Sequence, residues 1–240
     1  MPEIQDSFPL GQTPTADRPL LGLTVLMVED SRYASEAMRL LCLRSGARIR
    51  RADNLASAHR HLAVYRPSVV IVDLGLPDGS GEDLIRELDN ATPRVGVILG
   101  TGGNDDGAER AIKAGADGFI SKPIENLATF QGKILDHLPA SAHPKGLRRI
   151  SNETIAPDQL ALHDDLAHIA EVLTTASGDH ASIDYVAQFL SGIARIAHDN
   201  KMEDAAADLA RHRASGQPYS QDIDRITGLV QNRLQQRKVV

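Results

Sequence analysis

The chain has 240 residues, 42% of them apolar and 24% charged, with a formal net charge of -6. That length holds one large or two modest globular domains, and the acidic balance gives no electrostatic pull toward nucleic acid or an anionic membrane surface. A single cysteine, Cys42, excludes an internal disulfide, and no apolar run approaches membrane-spanning length.

Aromatic residues make up only 3% and Trp is absent, so the cores are built mainly from Leu, Ile, Val and Ala. Residues 1–20 are rich in proline and scattered polar residues. They read as a flexible tail rather than a signal peptide, and the protein is expected in the cytoplasm without a membrane partner. From Leu21 the texture changes. LTVLMV is a strand candidate ending in Glu29-Asp30. SRYASEAMRLLCLRSG has helical spacing, with Ala34, Ala37, Met38, Leu41 and Cys42 on one face and Gly46 to stop it. Cys42 reads as a packed core thiol. ARIRRAD is a second strand, with Arg50-Arg51 as a solvated edge, and NLASAHRHLAVY is a helix ended by Pro67. VVIVD, VGVILGT and ADGFISKP are further strands, separated by helices near GEDLIRELD and DDGAERAIKAG and followed by ENLATFQGKILDHL. Five strands alternating with helices predict a doubly wound parallel sheet, and continuous apolar runs suit strands buried on both faces.

Residues 139–156 contain Pro, Gly, Ser and Asn with little periodicity and read as a linker. Beyond them no strand-like run remains. PDQLALHDDLAHIAEVLTTAS places Leu160, Leu162, Leu166, Ile169, Val172 and Leu173 at helical spacing, with Pro157 in the first turn. SIDYVAQFLSGIARIAH repeats the pattern with Ile183, Val186, Leu190, Ile193 and Ala197. Asn200 with Glu203 suggests the cap of a third helix through Leu209, and Ser220 begins a fourth. Residues 157–240 are therefore expected to form an all-α bundle.

In an open parallel sheet, ligand sites lie at the carboxyl ends of the strands. Glu29 and Asp30 end the first strand, Asp73 the third, Thr101 the fourth and Lys122 the fifth. Any one of these has an ordinary explanation as a turn, cap or surface residue. Together they put three carboxylates in one pocket, where mutual repulsion calls for a hard divalent cation such as Mg2+. A lysine and a hydroxyl at the same rim suit a tetrahedral anion. The constellation reads as a phosphoryl-transfer site with Asp73 as the nucleophile.

Residues 22–138 resemble the receiver domain of two-component response regulators through five motifs in order: VED, VDLGLPDGSG, LGTGG, AGADGF and SKP. The resemblance implies a flavodoxin-like α/β receiver over residues 21–138. Asp73 would be the phosphoacceptor, Glu29 and Asp30 with Asp73 the holders of Mg2+, and the Gly75 carbonyl a further ligand. Lys122 would pair with the phosphoryl group, Thr101 would move to hydrogen-bond it, and Phe119 would be the switch aromatic. A cis Lys122-Pro123 peptide is also implied. A sensor histidine kinase or phosphotransfer protein would donate the phosphoryl group, with no catalysis beyond the receiver's own phosphorylation and dephosphorylation. The switch would alter the surface of the last two receiver helices and so the way the receiver meets the bundle or a partner. Gly102 stands where the family usually has Ala. Gly75 and Gly103 leave without side chains two positions that often tune dephosphorylation.

The second half is open to three readings. A protein-interaction or dimerisation module acting on a downstream protein is the first, and its elongated apolar bundle is compatible with a homodimer. A phosphorelay intermediate accepting phosphoryl on His198 or His163 is the second. A DNA-binding regulator is the third. Residues 141–240 carry eleven Lys and Arg against thirteen Asp and Glu, a net of -2, which argues against DNA.

Overall fold

The computed structural model describes residues 13–103, 106–124, 126–146, 150–151, 153–175 and 180–236. Its first unit carries strands β1 (Thr24–Val28), β2 (Arg48–Ala52), β3 (Val69–Asp73), β6 (Val97–Gly102) and β7 (Gly118–Ser121). These form one parallel sheet in the order β2-β1-β3-β6-β7. Helices α1 (Arg32–Ser45), α2 (Leu55–Val64), α3 (Gly81–Asn90), α4 (Gly107–Ala114) and α5 (Leu127–Leu135) cover it. The expected doubly wound five-stranded fold is present.

Alternate residues of each central strand feed opposite faces, as the two-residue period of a strand requires. Val25, Met27, Val69, Ile71, Val97 and Leu99 join Met38, Leu41 and Cys42 of α1 and Phe130 and Ile134 of α5 in one core. Leu26, Val28, Val70, Val72 and Ile98 join Leu84, Ile85 and Leu88 of α3 and Ala111 of α4 in the other. β2 is an edge strand whose Arg48, Arg50 and Arg51 stay outside the core, a charged edge that discourages pairing with another chain.

A two-residue hairpin, β4 (Gly75–Leu76) with β5 (Gly79–Ser80), turns the chain from β3 into α3. The sequence suggests only a turn there. Gly81 opens α3 so close to the end of β3 that a side chain would overlap the Asp73 carbonyl, which is why the sharp turn ends in glycine.

Of the tail expected over residues 1–20, residues 1–12 lie outside the described residues. Residues 13–20 run against the sheet unit: Leu20 is fully buried and its amide donates to the Ser45 carbonyl. The segment expected as a linker is also partly packed. Ala142 and Ile155 enter the first core, the Leu127 amide donates to the Glu153 carbonyl, and Thr154 forms an antiparallel bridge with Asn126.

Four helices follow: α6 (Gln159–Thr175), α7 (His180–Ile196), α8 (Asn200–Ala214) and α9 (Ser220–Gln236). Leu166, Ile169, Val186, Leu190, Ile193, Met202, Leu209, Ile226 and Val230 form their shared core. α6 starts two residues after Pro157, and Leu160 is exposed rather than part of the apolar face. The cap of α8 is Asp199, one residue before the expected Asn200; its carboxylate accepts from the Met202 amide. Among the described residues, no helix is long and apolar enough to cross a membrane.

Candidate phosphoryl-acceptor site

The ends of β1 and β3 bring Glu29, Asp30 and Asp73 together. A carboxylate oxygen from each lies within 4.8 Å of the others. Glu29 is 1% exposed, Asp73 6% and Lys122 8%, so this charge has left bulk water. Lys122, one residue beyond β7 and joined to Pro123 by a cis peptide, reaches into the cluster. Its Nζ is 2.6 Å from Glu29 Oε2 and 2.9 Å from Asp73 Oδ2. Burial alone pulls the lysine down, but Asp73 and Glu29 outweigh it and hold the ammonium above its ordinary pKa. Burial first, then the neighbouring Asp73, pushes Glu29 well above the usual carboxylate range and Asp30 up to about 6. One cation faces three acids, two of them buried and Asp30 half-buried, so their mutual repulsion is only partly relieved. The donor set is all oxygen, which fits a hard divalent ion.

Thr101 pairs with Asp73 in the register of β3 and β6, and its hydroxyl donates to the Ile120 carbonyl at 2.8 Å. Phe119 is 8% exposed, and its ring lies against the backbone of Gly102 and Gly107. A methyl at Gly102 would meet that ring at 3.5 Å, an ordinary contact, so alanine would fit there. Cys42 is buried and its thiol is pushed up to about 12 by that burial.

What covers this site is not foreshadowed by any motif in the sequence. Helix α7 lies over the carboxyl ends of the strands. The Tyr185 hydroxyl donates to Asp30 Oδ2 at 2.7 Å. The Gln188 carboxamide fills the space a side chain at Gly75 would need, and the bare Gly192 lies near the ammonium of Lys122. Arg195 donates to the carbonyl of Gly103. These four residues are spaced by three, four and three, so they form one stripe along the helix. Between stripe and carboxylates remains a cavity of about 10 Å³, lined by Asp30, Asp73, Lys122, Gln188 and Phe189 among others. That is room for about one water molecule.

α6 adds a second clasp. Asp165, 3% exposed, accepts from the Ser31 hydroxyl at 2.7 Å and from the amides of Arg32 and Tyr33 at 2.8 and 3.0 Å. It thus supplies partners for first-turn amides of α1 that no residue of that helix can reach. Ile196 packs with Tyr33 and Ala34 of α1. The helical unit is seated mainly on α1 and β4, whereas the sequence reading expected the last two receiver helices to carry the coupling.

The two candidate histidines, His163 and His198, are not among the residues lining the pocket at the acidic cluster. His163 lines a cavity of about 340 Å³ among α6 to α9, with Leu162, Leu166, Met202 and Arg233. His198 stands in the turn between α7 and α8 with a φ of 53°.

Residues 25–131 match the family described as response regulator receiver domain. Residues 25–131 are a response regulator receiver domain. The KDP operon transcriptional regulatory protein KdpE of Escherichia coli is 31% identical over 142 residues, covering 59% of this chain and 58% of that protein. The phosphate regulon transcriptional regulatory protein PhoB of Pseudomonas aeruginosa is 30% identical over 108 residues, covering 44% of this chain and 47% of that protein. The chain thus spans about half the length of the curated relatives it matches. Among solved structures, the signal receiver domain of a signal transduction histidine kinase from Syntrophus aciditrophicus aligns with a TM-score of 0.44 at 24% identity. It covers 56% of this chain and 98% of that one. A two-component response regulator from Clostridium difficile aligns with a TM-score of 0.43 at 20% identity over 48% of this chain and 94% of that one. The matched family segment ends before α6, so the helices that close the receiver's site lie beyond it.

Proposed function

We propose that this chain is the response regulator of a two-component phosphorelay, taking a phosphoryl group on Asp73 and signalling through protein contacts of its C-terminal helices. The observation that carries the reading is the close group of buried Glu29, half-buried Asp30 and buried Asp73, with Lys122 between Glu29 and Asp73. A carboxylate oxygen of Asp73 attacks the phosphorus of a phosphohistidine on a sensor kinase or phosphotransfer protein. The new P–O bond forms as the P–N bond breaks, and the departing imidazole nitrogen keeps the electron pair and takes a proton. Lys122 stays cationic throughout and turns from Asp73 toward the incoming oxygens. The Thr101 hydroxyl exchanges the Ile120 carbonyl for a phosphoryl oxygen, and Phe119 follows. Mg2+ held by Glu29, Asp30, Asp73 and the Gly75 carbonyl would neutralise charge on the phosphoryl oxygens.

The test is intact mass after prolonged exposure to a small-molecule phosphodonor with Mg2+. One adduct of 80 Da on the wild type, lost in Asp73→Asn and labile to base, is expected. An adduct that survives Asp73→Asn and is lost in acid would instead place phosphorylation on His163 or His198.

A second reading, transcriptional control, is favoured by the names of KdpE and PhoB. The net charge of residues 141–240 opposes it. Salt-dependent binding of duplex DNA would support it.

A further inference from the structure

We propose that the Tyr185–Gln188–Gly192–Arg195 stripe of α7 is a resident competitor for the receiver's acceptor site, so that the docked helix and a divalent cation with its phosphoryl donor exclude one another. The inference rests on the reading of Asp73 as acceptor and goes beyond it, because it gives the helical unit a definite role and binding place.

Three independent features support it. The first is occupancy. Tyr185 donates to an oxygen of Asp30, one of the three carboxylates able to ligate a metal, so it competes for electron density that an ion would draw on. The second is space. A hydrated cation plus a phosphoryl group needs many times the room of the one-water cavity left beneath α7. The third is fit. Gly75 has no side chain where the Gln188 carboxamide sits, and Asp165 completes α1 from across the interface. The glycine at position 75 allows the close approach of Gln188 that a larger residue would crowd. The stripe therefore fits this rim as a built interface.

The consequence is reciprocal. If docking weakens metal binding by some factor, metal binding weakens docking by the same factor. Phosphorylation at Asp73 then holds the helical unit open and frees the face of α7 that carries Tyr185, Gln188 and Phe189.

The experiment uses the full chain. Mg2+ is titrated calorimetrically, without phosphodonor, into the wild type, Tyr185→Phe, Gly75→Ala and the double variant Gly75→Ala with Gln188→Ala. Hydrogen exchange of α7 is followed as Mg2+ is added. Tyr185→Phe and Gly75→Ala are each expected to bind Mg2+ about tenfold tighter than the wild type, within the range usual for coupled sites. The double variant, with the overlap relieved, should return toward the wild-type affinity. Mg2+ should speed exchange across residues 183–196 in the wild type. Equal Mg2+ affinity in all four proteins, with α7 exchange unmoved, would overturn the competition while leaving Asp73 phosphorylation intact. If no variant binds Mg2+ and none takes a phosphoryl group, the acceptor reading falls and the competition falls with it.

Discussion

The hydroxyl of Tyr185 donates to a carboxylate oxygen of Asp30 at 2.7 Å across 155 residues of chain. A tyrosine from the last third of the protein thereby holds an acid at the heart of the receiver. Burial first, then the charge of Asp30, pushes the phenol above its ordinary pKa, so it stays a donor at any physiological pH.

Lys122 is the only cation within ion-pair distance of Glu29 and Asp73 among the described residues, and removing it strands both acids in a dry site. Lys122→Ala should destabilise the receiver by about 3–5 kcal/mol, the usual cost of breaking a buried pair from one side. Urea unfolding followed by circular dichroism measures this. An unchanged midpoint would mean that the carboxyls simply protonate.

Asp165 serves α1 from another unit. Asp165→Ala should cost about 1–3 kcal/mol, because buried donors lose their acceptor. Hydrogen exchange at the amides of Arg32 and Tyr33 should accelerate while that of β3 stays as it was. Protection unchanged at those two amides would show that α1 finds other partners.

Asp199 caps α8 and also receives Arg233 Nε at 2.6 Å, which holds its carboxyl below the ordinary range. A carboxylate with a lowered folded pKa stabilises the fold above its unfolded value, about 3.9, and loses that contribution as pH falls through the folded one. The stability gap between wild type and Asp199→Asn should therefore be widest near neutral pH and close below about pH 4. Urea midpoints over a pH series decide it, and a gap independent of pH would assign the effect to the cap's geometry.

Cys42 should be inert in the native protein. With its thiol fully buried and pushed up to about 12, a disulfide reagent at pH 8 should label it only as fast as the core opens. Urea should speed labelling in step with unfolding. Immediate stoichiometric reaction would mean that the α1 face of the sheet is open.

The sheet was legible because each strand announces itself: VVIVD is apolar to its last residue and that residue is charged. The acidic cluster was legible for the same reason, since parallel strand ends converge by topology. The cover was not. Nothing in the sequence singles out Tyr185 or Asp165, because a side chain's spacing says nothing of a partner more than a hundred residues away. One signal did exist. In α7, Ile183, Val186, Phe189, Leu190 and Ile193 belong to the bundle core, while Ile196 is buried against Tyr33 and Ala34 of α1 and Gly192 is buried near Lys122. A helix that is small or apolar nearly all round has two neighbours rather than one. The β4–β5 hairpin escaped notice because two-residue strands carry no periodicity.

The contacts of Tyr185, Gln188, Gly192 and Arg195 all belong to one helix, α7. A helix fixes its residues at about 1.5 Å of rise each, so a rigid lift moves all four at once. Under the proposed competition the four would be lost together when the helix lifts, and each molecule would be either shut or open. A rising stimulus would change how many copies have flipped, leaving no copy partly lifted, so a graded input would be counted in whole molecules.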